Sequence, residues 1–129
     1  MENPPAIDLI IRIKNGYMAR KEVIESPYSR MREEILKKLT EFKFVKSYKI
    51  TGDKFKKITI ELLYENTIPV FSDVKVYSRP GSRYYVSYRD LKPVLSGYGF
   101  SFISTPKGIL TNKEARKQKL GGELLFSIW

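Results

Sequence analysis

The chain contains no cysteine and no histidine. Without cysteine there is no disulfide, thiolate metal centre or sulfur nucleophile. Without histidine the commonest general base, most zinc sites and the Ser-His-Asp triad are excluded as well. Long apolar runs are also missing: Leu9-Ile10-Ile11 is typical, far below the ~20 residues of a transmembrane helix. The opening Met1-Glu2-Asn3-Pro4-Pro5 carries neither a basic leader nor a signal-peptide core, so a reducing cytoplasm (or an organelle matrix) is the expected setting, with no membrane partner. Acidic charge is scarce. Fourteen Asp and Glu face 24 Lys and Arg, a net charge of +10 over 129 residues, which points to a polyanionic partner.

What is present describes a globular protein: 42% hydrophobic residues and 29% charged can build a real core. Pro4 and Pro5 suit a helix start, and Ala6, Leu9, Ile10, Ile13 and Tyr17 recur at helical spacing. An extended piece over 22–25 ends at Ser26-Pro27. Met31, Ile35, Leu39 and Phe42 then mark a second amphipathic helix. Residues 44–51 and 55–64 read as two strands joined by a turn at Thr51-Gly52-Asp53-Lys54, the second alternating through Ile58, Ile60, Leu62 and Tyr64. Glu65-Asn66-Thr67, with Pro69 beyond, is the candidate linker.

Beyond it, Val74 and Val76 suggest a strand and Pro80-Gly81 a type II turn. Tyr84, Tyr85, Val86 and Tyr88 suggest an aromatic strand, residues 91–95 a helical turn broken at Gly97-Tyr98-Gly99, and residues 100–105 another strand turned by Pro106-Lys107-Gly108. Thr111-Asn112-Lys113-Glu114 has capping-box form, so a short helix starts there; Gly121-Gly122 ends it, and residues 123–129 form the last strand. The expected fold class is α+β. It comprises two small α/β domains: an α-β-α-β-β unit over 1–66 and a mostly β unit with short helices over 67–129. The first half carries 14 bases and 10 acids, a net +4; the second carries 10 and 4, a net +6. The acid-poor second half is where a polyanion is expected.

Within it, Arg79, Arg83, Tyr84, Tyr85, Tyr88 and Arg89 interleave cations with aromatic rings, which suits phosphates and unpaired bases, or simply a packed sheet. Ser104-Thr105-Pro106-Lys107-Gly108 ends a strand with two hydroxyls, a cation and a glycine, able to reach phosphate, ribose and base edges together. Neither this loop nor Gly97-Tyr98-Gly99 has the spacing of a nucleotide-binding fingerprint. Glu123 could accept loop N–H groups or a base amino group, or stay solvated at a strand end. Asp73, Asp90, Glu114 and Glu123 do not cluster, which argues against a metal-dependent nuclease.

Taken in order, Arg12-Ile13-Lys14-Asn15, Ser78-Arg79-Pro80-Gly81-Ser82-Arg83, Ser104-Thr105-Pro106-Lys107-Gly108, Thr111-Asn112-Lys113-Glu114-Ala115-Arg116 and Gly121-Gly122-Glu123 resemble the bacterial-type small-subunit ribosomal protein eight family. The resemblance runs from Pro4 to Trp129 and implies the same two-unit fold. It implies a structural, non-catalytic protein without cofactor or metal, a primary binder of the central domain of small-subunit ribosomal RNA. Such a protein helps assemble the platform beside neighbouring small-subunit proteins; the alternative is a translational repressor binding its own operon messenger RNA through the same face. The contact loop maps onto Ser104, Thr105, Lys107 and Gly108, with Arg83, Tyr85 and Glu123 beside it; Arg30 and Lys14 fall where phosphates are expected. Two positions depart from the pattern: Pro106 stands where relatives carry Ser, and Pro4-Pro5 replaces Asp-Pro at the first helix.

A cationic protein that displaces counterions from a nucleic acid is sensitive to salt. RNA affinity, measured by filter binding, is expected to fall steeply between ~50 and 200 mM salt; a flat dependence would contradict an electrostatic interface.

Overall fold

The computed structural model describes residues 4–94 and 99–129. The order is α1 (Pro5–Met18), β1 (Val23–Pro27), α2 (Arg30–Glu41), β2 (Ser47–Thr51), β3 (Lys57–Glu61), β4 (Tyr64–Glu65), β5 (Ile68–Pro69), β6 (Val74–Val76), β7 (Tyr85–Val86), β8 (Phe100–Thr105), β9 (Gly108–Thr111), α3 (Asn112–Gln118) and β10 (Gly122–Ile128). This is an α+β protein.

Helix α1 starts at Pro5 with Pro4 before it and no side-chain cap, as the departure at that position implies. Helix α2 is capped by the Ser29 hydroxyl, which accepts from the Arg32 amide at 3.1 Å. Strands β1, β3 and β2 form an antiparallel sheet in that order, so Pro27 sits on an edge strand, where its missing N–H is tolerated. The expected strand over 44–51 starts later, at Ser47. Lys43 takes a left-handed conformation (φ 62°), and the Phe44 amide returns to the Leu39 carbonyl at 2.8 Å. Phe44 and Val45 thereby close the end of α2 and enter the core rather than pairing with a strand. The expected strand over 55–64 contracts to 57–61. Gly52 (φ +94°) carries the turn out past Phe55, and the Leu63 amide leaves the ladder to bond the Tyr17 hydroxyl.

The Glu65-Asn66-Thr67 stretch folds as a tight turn. Asn66 and Thr67 both have positive φ (51° and 66°), as a type I′ hairpin turn requires, and join β4 to β5. The boundary expected between residues 66 and 67 falls inside this turn. Arg20 donates to the Thr67 carbonyl at 2.6 Å and the Tyr64 hydroxyl to the Lys21 carbonyl at 2.6 Å, holding the hairpin against the end of α1.

The second sheet runs β6-β10-β8-β9, with β7 pairing the start of β10. Strand β9, which forms a hairpin with β8, was not expected from the sequence. The aromatic strand shortens to Tyr85–Val86. The helical turn expected over 91–95 instead occupies Tyr88–Asp90 as a single 3₁₀ turn capped by Ser87. Leu91 is extended, and Pro93 disfavours helix at the residue before it; Leu95, Gly97 and Tyr98 lie outside the described residues. The capping box of α3 is complete: Thr111 accepts from the Glu114 amide, and Glu114 accepts from the Thr111 amide at 3.0 Å. Lys119, in the left-handed region (φ 57°), ends this helix three residues ahead of Gly122. Gly121 and Gly122 serve another need. A Cβ at Gly121 would sit 2.5 Å from the Val86 carbonyl oxygen, and one at Gly122 would overlap the Ser104 carbonyl, so the pair lets β10 enter between β7 and β8.

A bulge between Leu124 and Phe126 sets the layers. Leu124 joins Ile103, Leu110, Ala115 and Leu91 under α3, whereas Leu125 and Phe126 face the main core. That core collects Leu9, Ile10 and Ile13 of α1, Ile35, Leu36 and Leu39 of α2, Ile58 and Ile60 of β3, and Phe102, Phe126 and Ile128 of the second sheet. Phe102 and Phe126 stack with centroids 4.9 Å apart.

The Tyr17 hydroxyl joins these parts: it donates to the Phe44 carbonyl at 2.6 Å and accepts from the Leu63 amide at 3.1 Å. Burial pushes its pKa up to about 12. Tyr17→Phe leaves both backbone groups unpaired, and urea denaturation is expected to show a loss of about 1–3 kcal/mol. An unchanged midpoint would mean that water replaces the hydroxyl.

Candidate nucleic-acid interface

The β8–β9 hairpin turns through Pro106-Lys107, with Thr105 opposite Gly108 (φ +104°). The Thr105 hydroxyl is spent inside the turn. It donates to the Gly108 carbonyl at 2.8 Å and accepts from the Lys107 amide at 3.2 Å, and the residue is buried. Ser104, half-buried, has no such internal bond among the described residues. Pro106 and Lys107 are exposed at the tip.

Strand register brings the other candidates beside it. Ser104 lies opposite Glu123, and Glu123 opposite Tyr85, making one row across β8, β10 and β7. Arg83 closes the row with Nη1 3.2 Å from Glu123 Oε2. The Glu123 side chain is only 13% exposed and that of Arg83 is 51%, so the carboxylate holds the guanidinium outward. Tyr85 is 70% exposed. Arg79 stands exposed on a hydrogen-bonded turn to Ser82, where Gly81 has φ +77°. The buried Ser78 hydroxyl anchors this turn, donating to the Leu124 carbonyl at 2.8 Å and accepting from the Tyr84 amide at 3.0 Å.

Helix α2 borders the hairpin on its other side. Arg30 projects from its first turn, 3.6 Å from Glu34. Glu34, Lys37, Lys38, Lys107 and Gly108 line a shallow groove between helix and hairpin. Lys38 is a strut rather than an outward charge: its ammonium sits 2.6 Å from Glu114 Oε2. Burial raises the Glu114 pKa, but Lys38 and the Thr111 bonds outweigh it and hold the carboxyl below its ordinary value. Sequence reasoning missed this strut and the groove. The pattern of α2 does not distinguish Lys37 from Lys38, and Glu114 stands out in sequence only in the capping box and as one of four scattered acids.

Lys14 stands apart. It pairs with Asp73 at 3.0 Å, beside the Trp129 end of β10, about 20 Å of strand from Glu123. Asp73 is held below its ordinary pKa by the Val74 amide and by Lys14. Three of the four acids in the second half thus face a cation: Asp73 with Lys14, Glu114 with Lys38, Glu123 with Arg83.

The sequence model of the family described as Ribosomal protein S8 matches residues 5–129. The match places this basic α+β scaffold among structural, non-enzymatic ribosomal proteins. The chain belongs to the Ribosomal protein S8 family. It is 42% identical over 126 residues to the small ribosomal subunit protein uS8 of Dictyoglomus thermophilum, covering 97% of this chain and 96% of the relative. It is 43% identical to uS8 of Acholeplasma laidlawii over the same shares, and 37% identical to that of Solibacter usitatus over the full length of both.

The two hydroxyls separate by experiment. Thr105→Val removes both turn bonds and is expected to lower stability by about 1 kcal/mol, whereas Ser104→Ala leaves the melting temperature unchanged. Equal melting temperatures for the two variants would contradict this division.

Proposed function

We propose that this chain is a primary binder of small-subunit ribosomal RNA, docking on its central domain and helping the platform assemble alongside neighbouring small-subunit proteins. The observation that carries the reading is the row Tyr85–Glu123–Ser104, with Arg83 held outward at one end and Lys107 at the tip of the adjoining turn. It offers a ring face, a hydroxyl and two cations on rigid sheet, a combination suited to a splayed base and its flanking phosphates. Arg30 and Arg79 extend the cationic rim on either side. Gly108 admits a sugar-phosphate backbone close to the turn, and Pro106 takes the place of a hydroxyl without adding a competing donor. The ribosome is accordingly the place of action. An operon messenger RNA folded to the same shape would meet the same rim, which is the repressor role that the family resemblance implies.

Phosphate contacts and base contacts separate in a salt titration. Lys107→Ala is expected to reduce the slope of log affinity against log salt by about 1. Ser104→Ala leaves the slope unchanged but weakens binding to small-subunit ribosomal RNA by about 1–3 kcal/mol, with no loss on an unrelated duplex. If both variants bound the ribosomal RNA like the unmodified chain, the rim would not be the binding face.

A further inference from the structure

The turn between β2 and β3 carries the most exposed large hydrophobic side chain described: Phe55 is 91% exposed. It contributes to neither core. A lone apolar residue on a surface is ordinary; its surroundings distinguish this one. Residues 52–57 read Gly52-Asp53-Lys54-Phe55-Lys56-Lys57, three lysines against one acid, and all are exposed. Lys57 is neutralised by Glu25 at 3.1 Å, but Lys54 and Lys56 make no ion pair among the described residues.

The turn is also fixed in place. Gly52 has φ +94°, and a Cβ there would lie 2.5 Å from the Phe55 carbonyl oxygen, so the chain doubles back tightly at this turn. The Lys56 carbonyl accepts from the Tyr28 amide at 3.3 Å, and the Lys56 ammonium lies 5.4 Å from the centre of the Tyr28 ring. Tyr28 immediately precedes the cap of α2, so the Phe55 turn is tied to the end of the helix from which Arg30 projects. From Arg30 the exposed face of α2 leads about 10 Å to Lys37, which lines the groove with Lys107. Lys56, Arg30, Lys37 and Lys107 thus mark a line of cations from Phe55 along α2 to the Ser104–Gly108 turn, with Glu34, the partner of Arg30, as the acid among them.

We propose that Phe55 is a second RNA contact, a stacking platform for an unpaired base whose flanking phosphates meet Lys54, Lys56 and Arg30. The proposal rests on the reading given under Proposed function and extends that RNA face to the far side of α2. A convex tip with lysines on both sides of one ring suits a base between phosphates. It is poorly suited to a protein partner, which needs contiguous apolar area. The bases of a duplex are stacked internally and offer no face to the ring, so the contact selects unpaired nucleotides.

The full chain carrying Phe55→Ala, Phe55→Leu or Phe55→Trp is titrated with small-subunit ribosomal RNA and, separately, with a fully paired RNA duplex. Phe55 is exposed, so all three variants keep the melting temperature of the unmodified chain. Alanine and leucine are expected to weaken binding to the ribosomal RNA by ~10-fold, tryptophan to retain it with its emission quenched, and none to change duplex binding. If the unmodified chain does not prefer ribosomal RNA to duplex, the functional reading falls and this inference with it. If the preference stands and both Ala and Leu bind like the unmodified chain, the inference alone is overturned. It is equally overturned if Leu restores what Ala loses, because the contact would then be apolar docking rather than stacking.

Discussion

Helices α1 and α2 each present one apolar stripe, and two different sheets cover it. Leu9, Ile10, Ile13, Ile35, Leu36 and Leu39 meet Ile58 and Ile60 of the first sheet and Phe102, Phe126 and Ile128 of the second within one cluster. Either half alone is of the size at which burial barely offsets chain entropy, and a shared core gives both halves more apolar surface to bury. It also sets the second sheet at a fixed place against α2. Lys38 and Glu114 can then meet across 76 residues of sequence, and the β8–β9 turn comes to lie beside Lys37.

On that frame three acids, Asp8, Glu114 and Glu123, are held in ion pairs with little exposure of their own. Burial tends to raise the Asp8 pKa, but hydrogen bonds from Arg32 and Arg12 outweigh it and leave the carboxyl below its ordinary value. The same Arg32 donates to the buried Ser26 hydroxyl at 2.7 Å, fastening the start of α2 to β1. Glu114 and Glu123 hold Lys38 and Arg83. Lys37, Arg79 and Lys107 project outward with no ion pair among the described residues. Electrostatic attraction to a polyanion follows from the surplus of 24 bases over 14 acids, sharpened where these outward cations lack an acidic partner.

Features set by local chemistry could be read directly from the residues: the stripe of α2, the capping box of α3, the Arg79–Ser82 turn and the strand Phe100–Thr105. Features set by packing could not. Phe44 and Val45 look like strand residues but close a helix, and Gly121-Gly122 looks like a helix stop but relieves crowding between three strands. Strand β9 was hidden because the hairpin turn before it and the cap after it leave only Gly108–Thr111 as strand, too short for alternation to register. For the proposed interface, residue types singled out Arg83, Tyr85, Ser104 and Glu123 one by one. The row of Tyr85, Glu123 and Ser104 exists only through strand register, and nothing in the sequence distinguishes the inward hydroxyl of Thr105 from the available one of Ser104. Nor does local sequence reveal that Lys14 faces Asp73 at the other end of β10.

The proposed RNA-binding rim runs from the β8–β9 turn across α2 to the β2–β3 turn and leaves out the Lys14–Asp73 end. Amide hydrogen exchange of the full chain, with and without small-subunit ribosomal RNA, separates the two ends. Added protection is expected at residues 104–108, 79–85, 28–31 and 52–57, with residues 14–20 and 70–74 unchanged. Protection confined to residues 14–20 and 70–74, with the 104–108 turn exchanging as in the free chain, would contradict it.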